Sequence, residues 1–125
     1  MKLLLRRDQR AGLLGGKPVF SLSVRADLSE EEQANIRKYK LGETELYASH
    51  EITGGSGLLG VATRFAYKAM TINVSVNDLV GGKKVECKDI VEMLAIEDQI
   101  REAAKTFAQV LSAAAQFGGE EVLAI

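Results

Sequence analysis

Three glycines with the spacing of a phosphate-binding loop are the most suggestive chemical feature of this sequence. Gly55, Gly57 and Gly60 form a GxGxxG pattern within residues 54–60. Such glycines let backbone N–H groups approach a phosphate at the start of a helix, where the helix dipole favours negative charge. The pattern indicates one possible function, a small-molecule or nucleotide-phosphate binding protein whose ligand contacts Gly55, Ser56 and Gly57.

The surroundings of this glycine loop do not complete a nucleotide-binding motif. A dinucleotide fingerprint belongs to a parallel βαβ unit with an acidic residue about 20 positions later. Asp78 stands near that distance but falls in a predicted turn. Residues 58–70 fit helical and strand periodicity equally well, so the element after the loop stays open. A mobile or tightly packed loop without a ligand is the competing interpretation.

The other reactive side chains do not form a catalytic constellation. His50 is the only histidine, and Ser49 beside it points to the opposite face of a predicted strand. Cys87 shares the apolar face of Val85, which predicts a buried thiol rather than a nucleophile. With no second cysteine, neither an internal disulfide nor a zinc cluster is expected. We therefore predict no cofactor and no metal, and the sequence does not favour an enzyme.

A long C-terminal helix is the main scaffold that the sequence predicts. Eight apolar residues between Met93 and Phe117 recur with 3-4 spacing on one stripe. Asp89 and Glu92 fit a capping box at the start, and two glycines follow the stripe. The helix is expected to span residues 89–117.

The length of this helix predicts self-association. At 1.5 Å per residue it is roughly 43 Å long, whereas a compact chain of this size has a diameter of about 36 Å. A second subunit would cover the overhang, although the stripe could instead cover the chain's own sheet. The predicted oligomer interface consists of Ile96, Ile100, Ala103, Phe107, Val110 and Ala114. Beside the stripe, a charged band of Glu97, Asp98, Arg101 and Glu102 is expected to be solvated or to set the register of a partner helix.

The N-terminal third predicts a pair of strands with an unusual connection. Residues 2–8 and 19–26 have strand character, the second with strict period-2 alternation. Their glycine-rich connection carries Leu13 and Leu14. Leucines in a loop usually fold back on the core, but exposed leucines would form a contact site.

The middle of the chain predicts shorter elements. Ser29 and Glu32 fit a capping box that opens a short acidic helix ending near Lys40. A third strand is expected within residues 43–48. Residues 71–88 are predicted to form a hairpin around two glycines.

Composition and charge limit the domain class, the cellular location and the type of partner that the sequence can have. The 125 residues, 46% hydrophobic and 26% charged with one proline, fit one globular domain. No signal peptide or membrane span is predicted, and the single cysteine suggests a reducing, cytoplasmic location. Residues 1–40 carry nine basic and five acidic side chains. This asymmetry supports a second alternative, a weak nucleic-acid binder through the basic N-terminal hairpin, which we disfavour because no aromatic-rich patch accompanies it.

Together these features predict a single α+β domain over residues 1–125. An antiparallel sheet of about four to six strands packs against the long C-terminal helix, with one short acidic helix beside it. The favoured function is a small cytoplasmic homo-oligomeric interaction or assembly module that uses the C-terminal helix. A further protein partner is possible, and a membrane partner is not expected.

Overall fold

The computed structural model of the chain describes residues 1–47, 72–120 and 122–124. A three-stranded antiparallel sheet carries a long helix on one face. In chain order the elements are β1 (Lys2–Arg10), a 3-10 helix (Leu13–Gly15), β2 (Val19–Asp27), α1 (Glu30–Lys38), β3 (Glu45–Tyr47), β4 (Val74–Ser75), α2 (Val76–Gly81), β5 (Lys83–Cys87) and α3 (Ile90–Ala115).

The main sheet has the order β1-β2-β5, and both neighbouring pairs are antiparallel. β1 pairs with β2 over its whole length, which confirms the predicted N-terminal pair. The strand count is lower than the four to six expected, since β3 and β4 pair only with each other in the described ranges. The fold class is α+β as predicted.

The predicted hairpin over residues 71–88 is wrong. Ser75 Oγ accepts a hydrogen bond from the Asp78 backbone N–H, and the Asp78 carboxylate accepts one from the Ser75 N–H. This reciprocal capping box starts α2 where the hairpin needed an extended strand. β5 pairs with β2 instead, so long-range pairing replaces the local turn.

Helix α1 begins as predicted. Ser29 Oγ accepts a hydrogen bond from the Glu32 backbone N–H at 3.1 Å, and the Glu32 carboxylate accepts one from the Ser29 N–H at 3.0 Å. The helix ends at Lys38, and Lys40 follows in a left-handed conformation with φ of 53°. The predicted end at Lys40 is thus two residues too late.

The long C-terminal helix is confirmed as one unbroken element. Its 26 residues span about 39 Å. The Asp89 carboxylate caps the start by accepting a hydrogen bond from the Glu92 N–H at 2.8 Å. The Glu92 carboxylate accepts a hydrogen bond from the Lys88 N–H rather than from the N–H of the N-cap residue Asp89. Only half of the expected capping box therefore forms. Gly118, with φ of 90°, lies just beyond the end.

The core lies between α3 and the inner face of the sheet. Alternation along β2 sends Leu22, Val24 and Ala26 towards the helix. Phe107 and Ile100 are fully buried opposite them, and β3, β4 and α2 each add apolar side chains to the same cluster. Among the helices described, none is long and apolar enough to cross a membrane.

Candidate interaction surfaces

The apolar stripe of α3 lies inside the protomer. Of the predicted interface residues, Val110 is partly exposed and the others are buried, namely Ile96, Ile100, Ala103, Phe107 and Ala114. The helix contacts β2, β3, β4, β5 and α1 of its own chain. A second copy cannot reach the buried side chains while this fold stays closed.

The buried face of α3 is wider than a coiled-coil seam. Beside the heptad positions it also includes Glu97, Ala104 and Leu111. Such a broad stripe is typical of a helix that covers the core of its own domain. Towards the C-terminal end, Leu111 is buried in place of Val110, because a straight helix drifts away from a strict seven-residue repeat.

One carboxylate of the predicted charged band is buried rather than solvated. The Glu97 side chain is 5% exposed and lies over β1. Arg7 Nε and Nη2 donate hydrogen bonds to the two Glu97 carboxylate oxygens, each at 2.8 Å. Arg101 Nε lies 3.7 Å from one of those oxygens. The other members of the band, Asp98, Arg101 and Glu102, are exposed as expected.

This ion pair changes the titration of both partners. The hydrogen bonds from Arg7, and then its charge, hold the pKa of the Glu97 carboxyl below its usual value, although desolvation acts in the opposite direction. The same hydrogen bonds raise the pKa of Arg7. The contact joins α3 to β1 and restrains the edge strand of the sheet.

Leu13 and Leu14 form an exposed apolar tip between β1 and β2. Both side chains are essentially fully exposed. The Gly16 N–H donates to the Leu13 carbonyl at 3.0 Å, and Leu14 takes a left-handed conformation with φ of 53°. Gly12 allows the close approach, since a Cβ there would collide with the Lys17 carbonyl oxygen. The two leucines therefore point outward from a compact loop, and the sequence had left this alternative open.

The start of α3 lies at the same end of the sheet as this tip. Cys87 pairs with Phe20, next to the β1–β2 connection, and only two residues separate Cys87 from α3. Three large apolar residues in the first turns of α3 are also exposed. We call the combined set the apolar end; it consists of Leu13, Leu14, Ile90, Val91 and Leu94.

The other predicted chemical groups give no site in the described part of the chain. Gly55, Ser56, Gly57 and His50 lie outside the described residues, as does the element predicted over 58–70. Cys87 is buried as predicted, and desolvation, followed by the charges of Glu92 and Asp89, raises the pKa of its thiol. Across residues 1–47 and 72–120, no group of three His, Cys, Asp or Glu side chains could hold a metal ion.

Comparison with models of known families, with curated proteins and with solved structures finds no match for this chain.

Two features of these surfaces escaped the sequence analysis. Val91 and Leu94 point away from the buried stripe, and a helical projection would show this, since Leu94 is rotated about 100° from Met93. Ile90 projects to the edge of the buried stripe, so its exposure in the first turn of α3 could not be read from the projection. The Arg7–Glu97 pair joins residues 90 positions apart. No local sequence pattern predicts a contact between residues so far apart.

Proposed function

We propose that this protein is a small homo-oligomeric interaction module that associates with a second copy through its apolar end. The supporting observation is that five exposed large apolar side chains lie at one end of the sheet, two of them on a loop that holds them outward. Several large apolar side chains exposed at one end of a small domain are typical of a contact site.

The apolar end can supply enough free energy for a reversible dimer. Burying a fully exposed Leu side chain yields about 1.5–3 kcal/mol, so Leu13 and Leu14 contribute roughly 3–6 kcal/mol. The half-exposed residues of α3 add roughly 2–4 kcal/mol, and a symmetric contact doubles the total to about 10–20 kcal/mol. Association itself costs about 4–15 kcal/mol. Because the two ranges overlap, the dimer should be reversible and its population should depend on protein concentration.

A second copy of the chain fits this surface because the apolar end contains two unlike parts. The projecting tip of Leu13 and Leu14 in one copy can lie against the α3 patch of the other, and a two-fold axis makes the reverse contact identical. Lys17 and Lys88, both exposed at this end, would remain in water at the rim. The buried core of α3 stays closed in this arrangement.

Sedimentation velocity over a range of protein concentrations tests the proposal. We expect the wild type to dimerise, and both Leu13→Ser/Leu14→Ser and Ile90→Ser/Leu94→Ser to remain monomeric. Val122→Ser/Leu123→Ser is the matched control, since it replaces two exposed aliphatic residues near the C-terminus. Circular dichroism should show an unchanged fold in all variants, because each replaced side chain is exposed. A wild type that is monomeric throughout, or a dimer that only the control disrupts, would overturn the proposal.

We further propose a cytoplasmic location, supported by the free, buried thiol of Cys87. Cell fractionation of the native protein tests this, and recovery from an oxidising compartment would contradict it.

A further inference from the structure

The outer face of the sheet, opposite α3, contains a cationic depression. Its volume is about 800 Å³, which is within the range of small-molecule sites. The outward side chains that line it are Leu4, Arg6, Ser23, Arg25 and Lys84. None of the described residues that line it carries a carboxylate.

Strand register brings three of these side chains into one row. Arg6 lies directly opposite Ser23, and Ser23 lies opposite Lys84. Cβ atoms of directly opposed residues are about 5 Å apart, so two long cationic side chains flank a short hydroxyl. Arg25, two residues from Ser23 on β2, adds a third cation on the same face. An anion above Ser23 would lie within reach of its hydroxyl and all three cations.

Two of the three cations in this depression have no acidic partner among the described residues. Arg25 and Lys84 form no ion pair with any residue that the structure describes. Arg6 Nε donates to the Asp8 carboxylate at 2.9 Å, a contact that does not use its two Nη groups. Such a cluster attracts a group with two or more negative charges, for which Arg and Lys are the preferred ligands.

Carboxylates border the depression at both ends and favour a compact ligand. Asp8 and Glu86 flank Ser21 in the adjacent row, and Asp27 lies beyond Arg25 on the other side. An extended nucleic-acid backbone running along the strands would meet these negative charges. Leu4, opposite Arg25 and 44% exposed, offers an apolar contact within the lining.

We propose that this depression binds a low-molecular-mass ligand that carries one or two phosphate groups and an apolar portion. The phosphate would be held by Arg6, Ser23, Arg25 and Lys84, and the apolar portion would lie against Leu4. The proposed site is built from residues of β1, β2 and β5, and it does not depend on the proposed dimer.

Titration calorimetry with inorganic pyrophosphate and with ADP, at physiological salt, tests this site. We expect saturable one-site binding, tighter for ADP, because ADP alone among the two has a portion that can contact Leu4. Arg25→Gln and Lys84→Gln should each weaken binding by at least about tenfold, the effect of losing one charge-assisted hydrogen bond. Lys105→Gln, which removes an exposed cation from α3, is the matched control and should change nothing.

Three results would overturn the proposal. The first is the absence of saturable binding of either probe to the folded wild type. The second is equal weakening by Lys105→Gln, which would indicate attraction by net charge alone. The third is tight binding of a single-stranded oligonucleotide that pyrophosphate does not displace, which would assign this face to nucleic acid.

Discussion

Replacing Glu97 by glutamine tests how α3 is joined to the sheet. The substitution preserves the volume of a side chain that is 5% exposed, but it removes the charge that Arg7 binds through two hydrogen bonds of 2.8 Å. The glutamine carbonyl can accept one of these bonds, while its amide turns two donors towards the other Arg7 nitrogen. One charge-assisted hydrogen bond is therefore lost.

The expected loss of stability is about 1.5 kcal/mol, at the lower end of the range for a hydrogen bond to a charged group. We choose the lower end because Arg7 keeps access to water on its exposed side. For a chain of this length, the melting temperature should fall by roughly 5–7 °C. Urea unfolding with an unchanged m-value would show that the effect is on stability alone.

The pH dependence gives a second readout of the same contact. The pKa of Glu97 is below its usual value of 4.5 in the folded protein, so its contribution is present above that value and is lost as pH falls through the lowered pKa. Between pH 5 and pH 2 the free energy of unfolding should fall less steeply in Glu97→Gln than in the wild type. Glu32→Gln is a useful comparison, because hydrogen bonding to the Ser29 N–H, together with the Met1 ammonium 3.3 Å away, also lowers the pKa of Glu32, in a contact that does not involve α3.

Glu97→Gln could instead unfold at the same urea concentration as the wild type, with the same dependence of the free energy of unfolding on pH. That result would mean that the carboxylate is solvated and that Arg7 does not hold it against β1.

Other predictions concern the core, the tip and the thiol. Ile100→Asp should abolish folding, because it buries an unpaired charge at a fully inaccessible position. Ile100→Val should lower the free energy of unfolding by only about 0.5–1.5 kcal/mol. An Ile100→Asp variant that is folded by circular dichroism and monomeric in sedimentation would contradict this. Leu14→Gly should leave the stability of the monomer unchanged or raise it by up to about 1 kcal/mol, since glycine accepts φ of 53° without strain; a clear loss in thermal melting, at a protein concentration at which the wild type is monomeric, would argue against the left-handed tip. Cys87 should react with a thiol reagent at pH 8 only after denaturant is added, because it is buried and its pKa is raised, and rapid labelling of the native protein would count against its burial.

Local signals in the sequence predicted the elements whose causes are local. The N-terminal strands, the Ser29 capping box and the long helix from Asp89 all follow from patterns within a few residues, and the structure has each of them. The prediction for residues 71–88 is wrong at the same level, because the Ser75–Asp78 capping box starts a helix before the glycines, which therefore end that helix rather than form a hairpin turn.

What covers the apolar stripe of α3 could not be read from the stripe itself. A 3-4 repeat indicates that one face of the helix is buried, and either a second helix or the chain's own sheet can bury that face. The burial of Leu111 in place of Val110 shows that the chain's own sheet covers the stripe. This burial is visible only once the helix lies on the sheet.

Periodicity and caps thus determined by themselves where β1, β2, α1 and α3 begin, since these starts depend on the backbone within one or two turns. Tertiary structure alone decided that β5 pairs with β2, that Arg7 meets Glu97 and that Arg6, Ser23 and Lys84 share a row. These contacts join residues far apart in the chain, and their free energy exists only once the sheet and α3 have packed together. The exposed positions of Leu13 and Leu14 belong to the same class, because a loop side chain turns outward or inward according to the surface that the folded domain offers it.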